Sequence, residues 1–261
     1  DNLPLTKVSV TYDNCRNKKT LNDPDYGTII YEYDALSNLK KVKMPNNNYI
    51  EYQYDVSGRM IDRKERDASA NKVVTTKWHY NVEKGKIGML ERITTSDNHI
   101  IEYVYDDKLR LSKESETINN TTYFTTYSYD EASRVSSIRY PSGFCLSKTY
   151  SNSGYEKAYY NEMDDKMLWM TNSTNPNGNI TEYQLGNGLK TMCGYNPNTF
   201  MIETIRTISS DNKMLQNLSY GYDDFGNLMF RKKNTGVPVM EEFEYDDFNR
   251  LKRIRLNGAI S

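Results

Sequence analysis

From Gly27 to Met60 the chain alternates. In Tyr31-Glu32-Tyr33-Asp34 the aromatic rings fall on one side of an extended backbone and the acids on the other. Tyr52-Gln53-Tyr54-Asp55 repeats the pattern 21 residues later (55 − 34). Alternation stops at the Asp, whose carboxylate accepts hydrogen bonds from backbone N–H groups two residues on and so starts a turn. Three positions later stands a small residue, Ser37 or Gly58, suited to a left-handed or crowded backbone. A second strand follows, such as Leu39 to Met44, and then a looser turn such as Pro45-Asn46-Asn47-Asn48. Each phrase reads as a β-hairpin, and helical periodicity is nowhere persuasive.

The phrase returns as Tyr103-Val104-Tyr105-Asp106, Tyr127-Ser128-Tyr129-Asp130, Tyr220-Gly221-Tyr222-Asp223 and Phe243-Glu244-Tyr245-Asp246. It closes on a small residue, an Arg or Asn, and an aliphatic: Ser37-Asn38-Leu39, Gly58-Arg59-Met60, Ser133-Arg134-Val135, Gly226-Asn227-Leu228 and Asn249-Arg250-Leu251. Leu109-Arg110-Leu111 departs from it, and a different turn is expected there. Worn copies fit Tyr12-Asp13, Trp78-His79-Tyr80-Asn81, Tyr150-Ser151 and Tyr195-Asn196, with another assigned to Trp169 to Asn172. The turns Pro141-Ser142-Gly143 and Asn175-Pro176-Asn177-Gly178 are assigned to the looser class. The expectation is a single array over residues 1–261 of roughly eleven units, each of roughly 20–27 residues.

Composition sharpens this picture. The chain is 26% charged with 34 basic and 35 acidic side chains, and its net charge of -1 gives no reason to expect nucleic acid or an anionic membrane. Hydrophobic residues make up 37%, low for a thick core, while Tyr reaches 23 against 7 Phe and 2 Trp. Tyrosine has a flat apolar body and a wet end, which suits a thin sheet. A hairpin alone cannot bury a face, but stacked hairpins can. The tyrosines of successive units are expected to pair against one another. The predicted fold is all-β: an array of β-hairpin repeats forming a long, spiralling antiparallel sheet. A piece cut from such a sheet leaves open edges and is expected to associate through them. No run of 18 apolar residues is present. The start at Asp1 suggests processing or excision from a longer chain.

The phrase YxYDxxGR[LM], carried best by Tyr52-Gln53-Tyr54-Asp55-Val56-Ser57-Gly58-Arg59-Met60, resembles the YD repeat of the Rhs family. The stretch from Gly186 to Ile205 is similar to a Gly-Asn-Gly-Leu variant of such arrays, and the resemblance covers essentially the whole chain. The family includes bacterial polymorphic toxins, B and C subunits of insecticidal toxin complexes, wall-associated proteins and teneurins. The resemblance implies a repeat sheet wound into a hollow shell around a C-terminal toxic domain. It also implies an aspartyl autoprotease core segment near the shell's end, and no such segment is found in these residues. The chain therefore reads as a section of shell wall from a secreted or cell-surface protein.

Chemistry competes weakly with this reading. The pairs Asp106-Asp107, Asp164-Asp165, Asp223-Asp224 and Asp246-Asp247 resemble acid–base dyads, but most sit at the repeated turn, where a structural role comes first. EF-hand spacing is absent. His79 and His99 lie in no catalytic motif, and Cys15, Cys145 and Cys193 form no CxxC framework. No catalytic residue, metal or cofactor is expected, and the chain is not read as an enzyme. Gly186-Asn187-Gly188 lacks the following helix of a phosphate loop. The sequons at Asn119, Asn172, Asn179 and Asn217 matter only if the host glycosylates secreted proteins. Trp78 and Trp169 stand out as aromatics beyond the repeat's own positions and are the candidate ligand-binding residues, with glycans the candidate ligand. The candidate partners are neighbouring repeats and a C-terminal toxin cargo. The principal expected function is encapsulation, with an extracellular carbohydrate- or protein-binding module as the alternative.

Overall fold

In the computed structural model, which describes residues 7–260, the alternating stretches are strands and the chain is all-β. The chain divides into two compact units, Asp1–Tyr127 and Ser128–Ser261. In the first lie β1 (Ser9–Tyr12), β2 (Lys18–Asp23), β3 (Gly27–Tyr33), β4 (Leu39–Lys43), β5 (Tyr49–Tyr54), β6 (Met60–Asp67), β7 (Lys72–Tyr80), β8 (Leu90–Thr95), β9 (Ile100–Tyr105) and β10 (Leu111–Ile118). Strand β11 (Thr121–Tyr129) runs across the division. The second unit holds β12 (Val135–Arg139), β13 (Cys145–Tyr150), β14 (Glu156–Asn161), β15 (Lys166–Thr174), β16 (Ile180–Leu185), β17 (Lys190–Tyr195), β18 (Ile202–Ile208), β19 (Met214–Tyr222), β20 (Leu228–Lys233), β21 (Val239–Tyr245), β22 (Leu251–Leu256) and β23 (Ala259–Ile260). Within each unit every strand pairs antiparallel with the next in sequence, as from β3 to β6 or from β19 to β22.

Successive hairpin turns therefore fall on alternate edges of the sheet. One edge carries the turns begun by Asp13, Asp34, Asp55, Asn81 and Asp106 in the first unit. The corresponding edge of the second carries those begun by Asp130, Ser151, Asn175, Asn196, Asp223 and Asp246. Most of them share the form seen at Asp34, whose N–H donates to the Asn38 carbonyl at 2.9 Å while the Ser37 N–H donates to the Asp34 carbonyl at 3.1 Å; the Asn81 and Asn196 turns are longer and close on Met89 and Met201. Ser37 has φ 63°, so this is a tight turn followed by a left-handed residue.

Three expectations need correction. The Leu109 turn does not differ: Leu109 has φ 62° and donates to the Asp106 carbonyl at 2.9 Å. Hydrogen bonds on both sides hold a leucine where glycine or asparagine is usual. The turns on the opposite edge are not looser: at Met44–Asn48 and Tyr140–Phe144 the same pair of backbone bonds closes the loop, with Asn47 and Gly143 left-handed. Nor do Trp169 to Asn172 form a turn. They lie inside β15, and the worn turn is Asn175–Asn179, where Asn175 Oδ1 accepts from the N–H groups of Asn177 and Asn179.

A feature the sequence did not announce recurs beside the Asp-edge turns. Tyr33 pairs with Leu39, but Glu32 pairs with Lys41, which leaves Lys40 as an extra residue. Ile61, Ser112, Lys157, Met229 and Lys252 are extra in the same way. Each bulge bends its strand and increases local right-handed twist.

The interior is thin. Among the described residues the buried apolar side chains are Val42, Cys145 and Ala158, and the buried polar ones are Thr76, Ser115, Thr191 and Thr207. These are small or β-branched residues, all within strands. Thr191 and Thr207 satisfy one another across β17 and β18 through hydroxyls 2.9 Å apart.

Candidate functional site

The repeat motif is the chemistry this chain invests in, and its parts interlock. At the Asp turn one carboxylate oxygen serves the backbone and the other serves a side chain four residues on. Asp55 Oδ1 accepts from the N–H groups of Ser57 and Arg59 at 2.9 and 3.0 Å, and Oδ2 accepts from Arg59 Nε at 2.7 Å. Arg110, Arg134 and Arg250 clamp Asp106, Asp130 and Asp246 in the same way. At Asp34 and Asp223 the clamp is the amide of Asn38 or Asn227. This explains the Arg-or-Asn position in the phrase, which the sequence displayed without a role. The bonds hold the carboxyls of Asp34, Asp106, Asp130, Asp223 and Asp246 below the usual range, the side-chain donor contributing most. For Asp55 the Arg59 N–H contributes most.

The tyrosine nearest the turn binds its hairpin to the one before it. Between hairpins the strand ladder stops short of the Asp edge: β4 and β5 pair only from Lys41 and Glu51 onward. The carbonyl of Leu39 lies beyond that point, and Tyr54 Oη donates to it at 3.0 Å. The hydroxyls of Tyr33, Tyr80, Tyr105, Tyr150, Tyr195 and Tyr245 reach the carbonyls of Lys18, Met60, Leu90, Val135, Ile180 and Leu228 in the same way. Desolvation raises the pKa of Tyr54, Tyr105 and Tyr195, consistent with neutral donors in a part-buried seam. Ring pairing between successive repeats, expected from the sequence, is not how Tyr33 and Tyr54 act. Equivalent strands of adjacent repeats are two sheet spacings apart, about 10 Å, too far for ring contact. The clamp adds a second link. Arg59 lies over the Tyr80 ring at 4.4 Å and Arg134 over Tyr150 at 4.3 Å, each on the following repeat.

The first aromatic of each phrase, as in Tyr31, Tyr52, Tyr103 and Tyr220, sits two residues before the second on the same face. Trp78 occupies that position beside Tyr80, with Arg63 over its ring at 5.8 Å, so it belongs to the repeat and is no extra. Trp169 lies between Tyr159 and Tyr183, with ring centroids at 4.9 and 6.3 Å. Tyr129, Tyr222 and Phe243 hold the repeat positions of their strands.

One cluster was missed. Lys148 and Glu156 replace the apolar residues of this face in the Ser151 hairpin and pair at 2.9 Å, with Tyr159 donating to Glu156. Burial, then the Glu156 carboxylate, pushes the Tyr159 hydroxyl up to about 12. Two charged residues where the preceding hairpin carries Tyr127 and Val135 were the available signal.

The other candidates are occupied locally. His79 contacts the Thr94 hydroxyl, and His99 lies 2.7 Å from Glu116. Cys15, Cys145 and Cys193 are free thiols, and Cys145 is buried beside Ser137 and Glu162. Among the described residues no group of three or more His, Cys, Asp or Glu is placed to hold a metal, and no helix is long and apolar enough to cross a membrane. The Asn187 turn is a hairpin on the opposite edge, closed by the Leu185 and Gly188 N–H groups.

No protein-family model and no curated protein matches the sequence. Solved structures do. The TcdB2–TccC3 complex is similar with a TM-score of 0.78 at 16% identity, over 95% of this chain and 14% of that chain. The same complex without its hypervariable C-terminal region gives a TM-score of 0.79 at 16% identity, again over 95% of this chain and 14% of that one. The Tc holotoxin pore of Photorhabdus luminescens gives 0.77 at 15% identity, over 95% of this chain and 13% of that chain. The chain thus spans about one seventh of the length of the chains it matches, and the likeness establishes the fold: the hairpin-repeat sheet of toxin-complex proteins.

Proposed function

We propose that the chain is a length of repeat wall from a secreted or cell-surface Rhs/YD-type protein, and that the wall encloses a toxic or effector domain carried elsewhere. The observation that carries this reading is a hairpin-turn geometry that recurs along both units, as at Asp34, Asp55, Asp106, Asp130, Asp223 and Asp246. Where the turn begins with Asp a side-chain clamp braces it, and a tyrosine hydroxyl joins most hairpins to the one before. Such a device extends a sheet indefinitely without a thick core, which is what a container wall requires. Likeness to TcdB2–TccC3 over 95% of the chain supports the same conclusion. The partners are then neighbouring repeats and the cargo domain. The ring faces of Trp78 and Trp169 meet Arg63, Tyr159 and Tyr183, which favours a packing role over glycan stacking.

The test is the intact mass and N-terminal sequence of the protein from its native source. A much longer product with this array inside it and a distinct tail is the expected result. A mature product ending near Ser261 would overturn the container and leave an array that works by surface binding alone.

A further inference from the structure

The seam tyrosine is missing at one junction. Between β14 and β15 the ladder again stops short of the Asp edge, its last pair being Ala158 with Met170. The acceptor is in place: Glu156 pairs with Tyr150 as Leu39 pairs with Tyr33, so its carbonyl holds the position that receives a hydroxyl elsewhere. The donor position belongs to Thr174, which pairs with Ile180 just before the Asn175 turn. Threonine cannot span the gap. Among the described residues the only donor that reaches the Glu156 carbonyl from this strand is Thr171 Oγ1, in a long bond of 3.5 Å against 2.7 to 3.1 Å for the tyrosine bonds, which leaves room for a stronger donor. Where the phenol would lie there is an open groove of about 400 Å³, lined among others by Ser151, Tyr155, Thr171, Asn172 and Asn175.

A second irregularity coincides with the groove. Thr171 pairs with Tyr183 and Ser173 with Glu182, leaving Asn172 as an additional bulged residue in β15. One wall is aromatic, because Tyr155 is 58% exposed and its ring lies against Gly178 of the next turn. The Glu156 carboxylate is engaged by Lys148 and Tyr159, and Lys157, also on the groove wall, is exposed.

We propose that this groove binds a phenol from outside the chain, its ring against Tyr155 and its hydroxyl donating to the Glu156 carbonyl in place of the absent tyrosine. The volume lies within the range of small-ligand sites, and a ring with one donor complements an aromatic wall and a carbonyl acceptor, with the exposed Lys157 ammonium free to lie over the ring face. The other junctions of this chain are the template for the ligand. The inference does not depend on the container reading.

The test uses the full chain with N-acetyltyrosinamide and p-cresol as probes, followed by calorimetry and by ligand NOEs to the Thr171 methyl and the Tyr155 ring. Both probes are expected to bind with those NOEs, tighter binding of N-acetyltyrosinamide marking a polypeptide as the source and tighter binding of p-cresol a free phenol. N-acetylphenylalaninamide, lacking the hydroxyl, is expected to bind about 5-fold more weakly, the worth of one hydrogen bond. T174Y fills the groove from within, and T174F fills it without the hydroxyl. Either, shown by circular dichroism to be folded, should weaken binding at least about 10-fold. Absence of the NOEs, equal binding of the phenylalanine analogue, or undiminished binding to a folded T174Y or T174F protein would each overturn the proposal.

Discussion

The Asp55 and Ser151 hairpins make the same turn with different side chains. Asp55 engages two N–H groups and the Arg59 guanidinium. Ser151 Oγ accepts from the Tyr155 N–H, at 3.1 Å. Yet Ser151 donates to the Tyr155 carbonyl at 2.8 Å, Gly154 donates to Ser151 at 2.9 Å, and Gly154 has φ 88°. The backbone path therefore survives loss of the carboxylate and its clamp. The seam tyrosine survives too: Tyr54 and Tyr150 bind Leu39 and Val135 alike. What differs is the face between them, where Tyr52 and Met60 of one hairpin become Lys148 and Glu156 of the other. The left-handed residue keeps the turn, the seam hydroxyl ties most hairpins to the one before, and the clamp adds stability to a shape already chosen.

If that ranking holds, the seam should show the largest effect. Y54F and Y150F should each lose about 1 kcal/mol in urea unfolding, the net worth of a hydrogen bond whose acceptor is left unmade. A loss at Tyr54 with none at Tyr150 would break the equivalence of the two hairpins. Next comes the polar pair peculiar to the Ser151 hairpin. A double-mutant cycle through K148A and E156A should give a coupling of about 0.5 kcal/mol, reduced by salt, because Glu156 is well exposed. A zero coupling would show that Lys148 is held by the Tyr159 ring instead.

The clamp should be read through pH. The Asp55 carboxyl is held below its ordinary 3.8, so the folded state binds fewer protons than the unfolded one in that window. Its stabilisation is complete above the unfolded value and fades as pH falls through the lower folded value. Wild type should exceed D55N in urea midpoint at pH 6, with the gap closing below about pH 4. Conversely, S151D/Y155R should write a clamp into the worn hairpin and introduce an acid-sensitive increment there. A gap that stays constant with pH would remove the carboxylate from the account. The smallest effect belongs to Leu109. L109N should stabilise by about 0.3 kcal/mol, since asparagine tolerates the left-handed region better than leucine.

Much of this was legible. Alternation in Tyr52-Gln53-Tyr54 marks a strand, and Asp55 marks its end, because both signals are local. The identity of the fold followed from the phrase recurring in register. What stayed hidden was relational. Nothing in Leu109 says that its neighbours will hold φ positive, and nothing in Lys40 says that it will bulge. Trp169 looked like a worn turn because aromatic-plus-Asn resembles Tyr-Asp, whereas the turn keeps its Asn175 and loses its aromatic to Thr174. The abundance of tyrosine suggested ring stacking. The spacing between repeats, visible only once strands are laid out, turned that preference into a hydroxyl reaching a carbonyl.

The seam hydroxyls have a direction. Tyr54 reaches back to Leu39 and Tyr105 back to Leu90, each 15 residues nearer the N-terminus. A ribosome therefore delivers every such acceptor before its donor. Each new hairpin can latch onto finished sheet while the rest of the polypeptide is still unsynthesised, and no strand need wait for a distant partner. A sheet of many strands usually folds slowly because its pairings are remote. Here growth is vectorial, and the latch at the end of each hairpin closes in the order of translation.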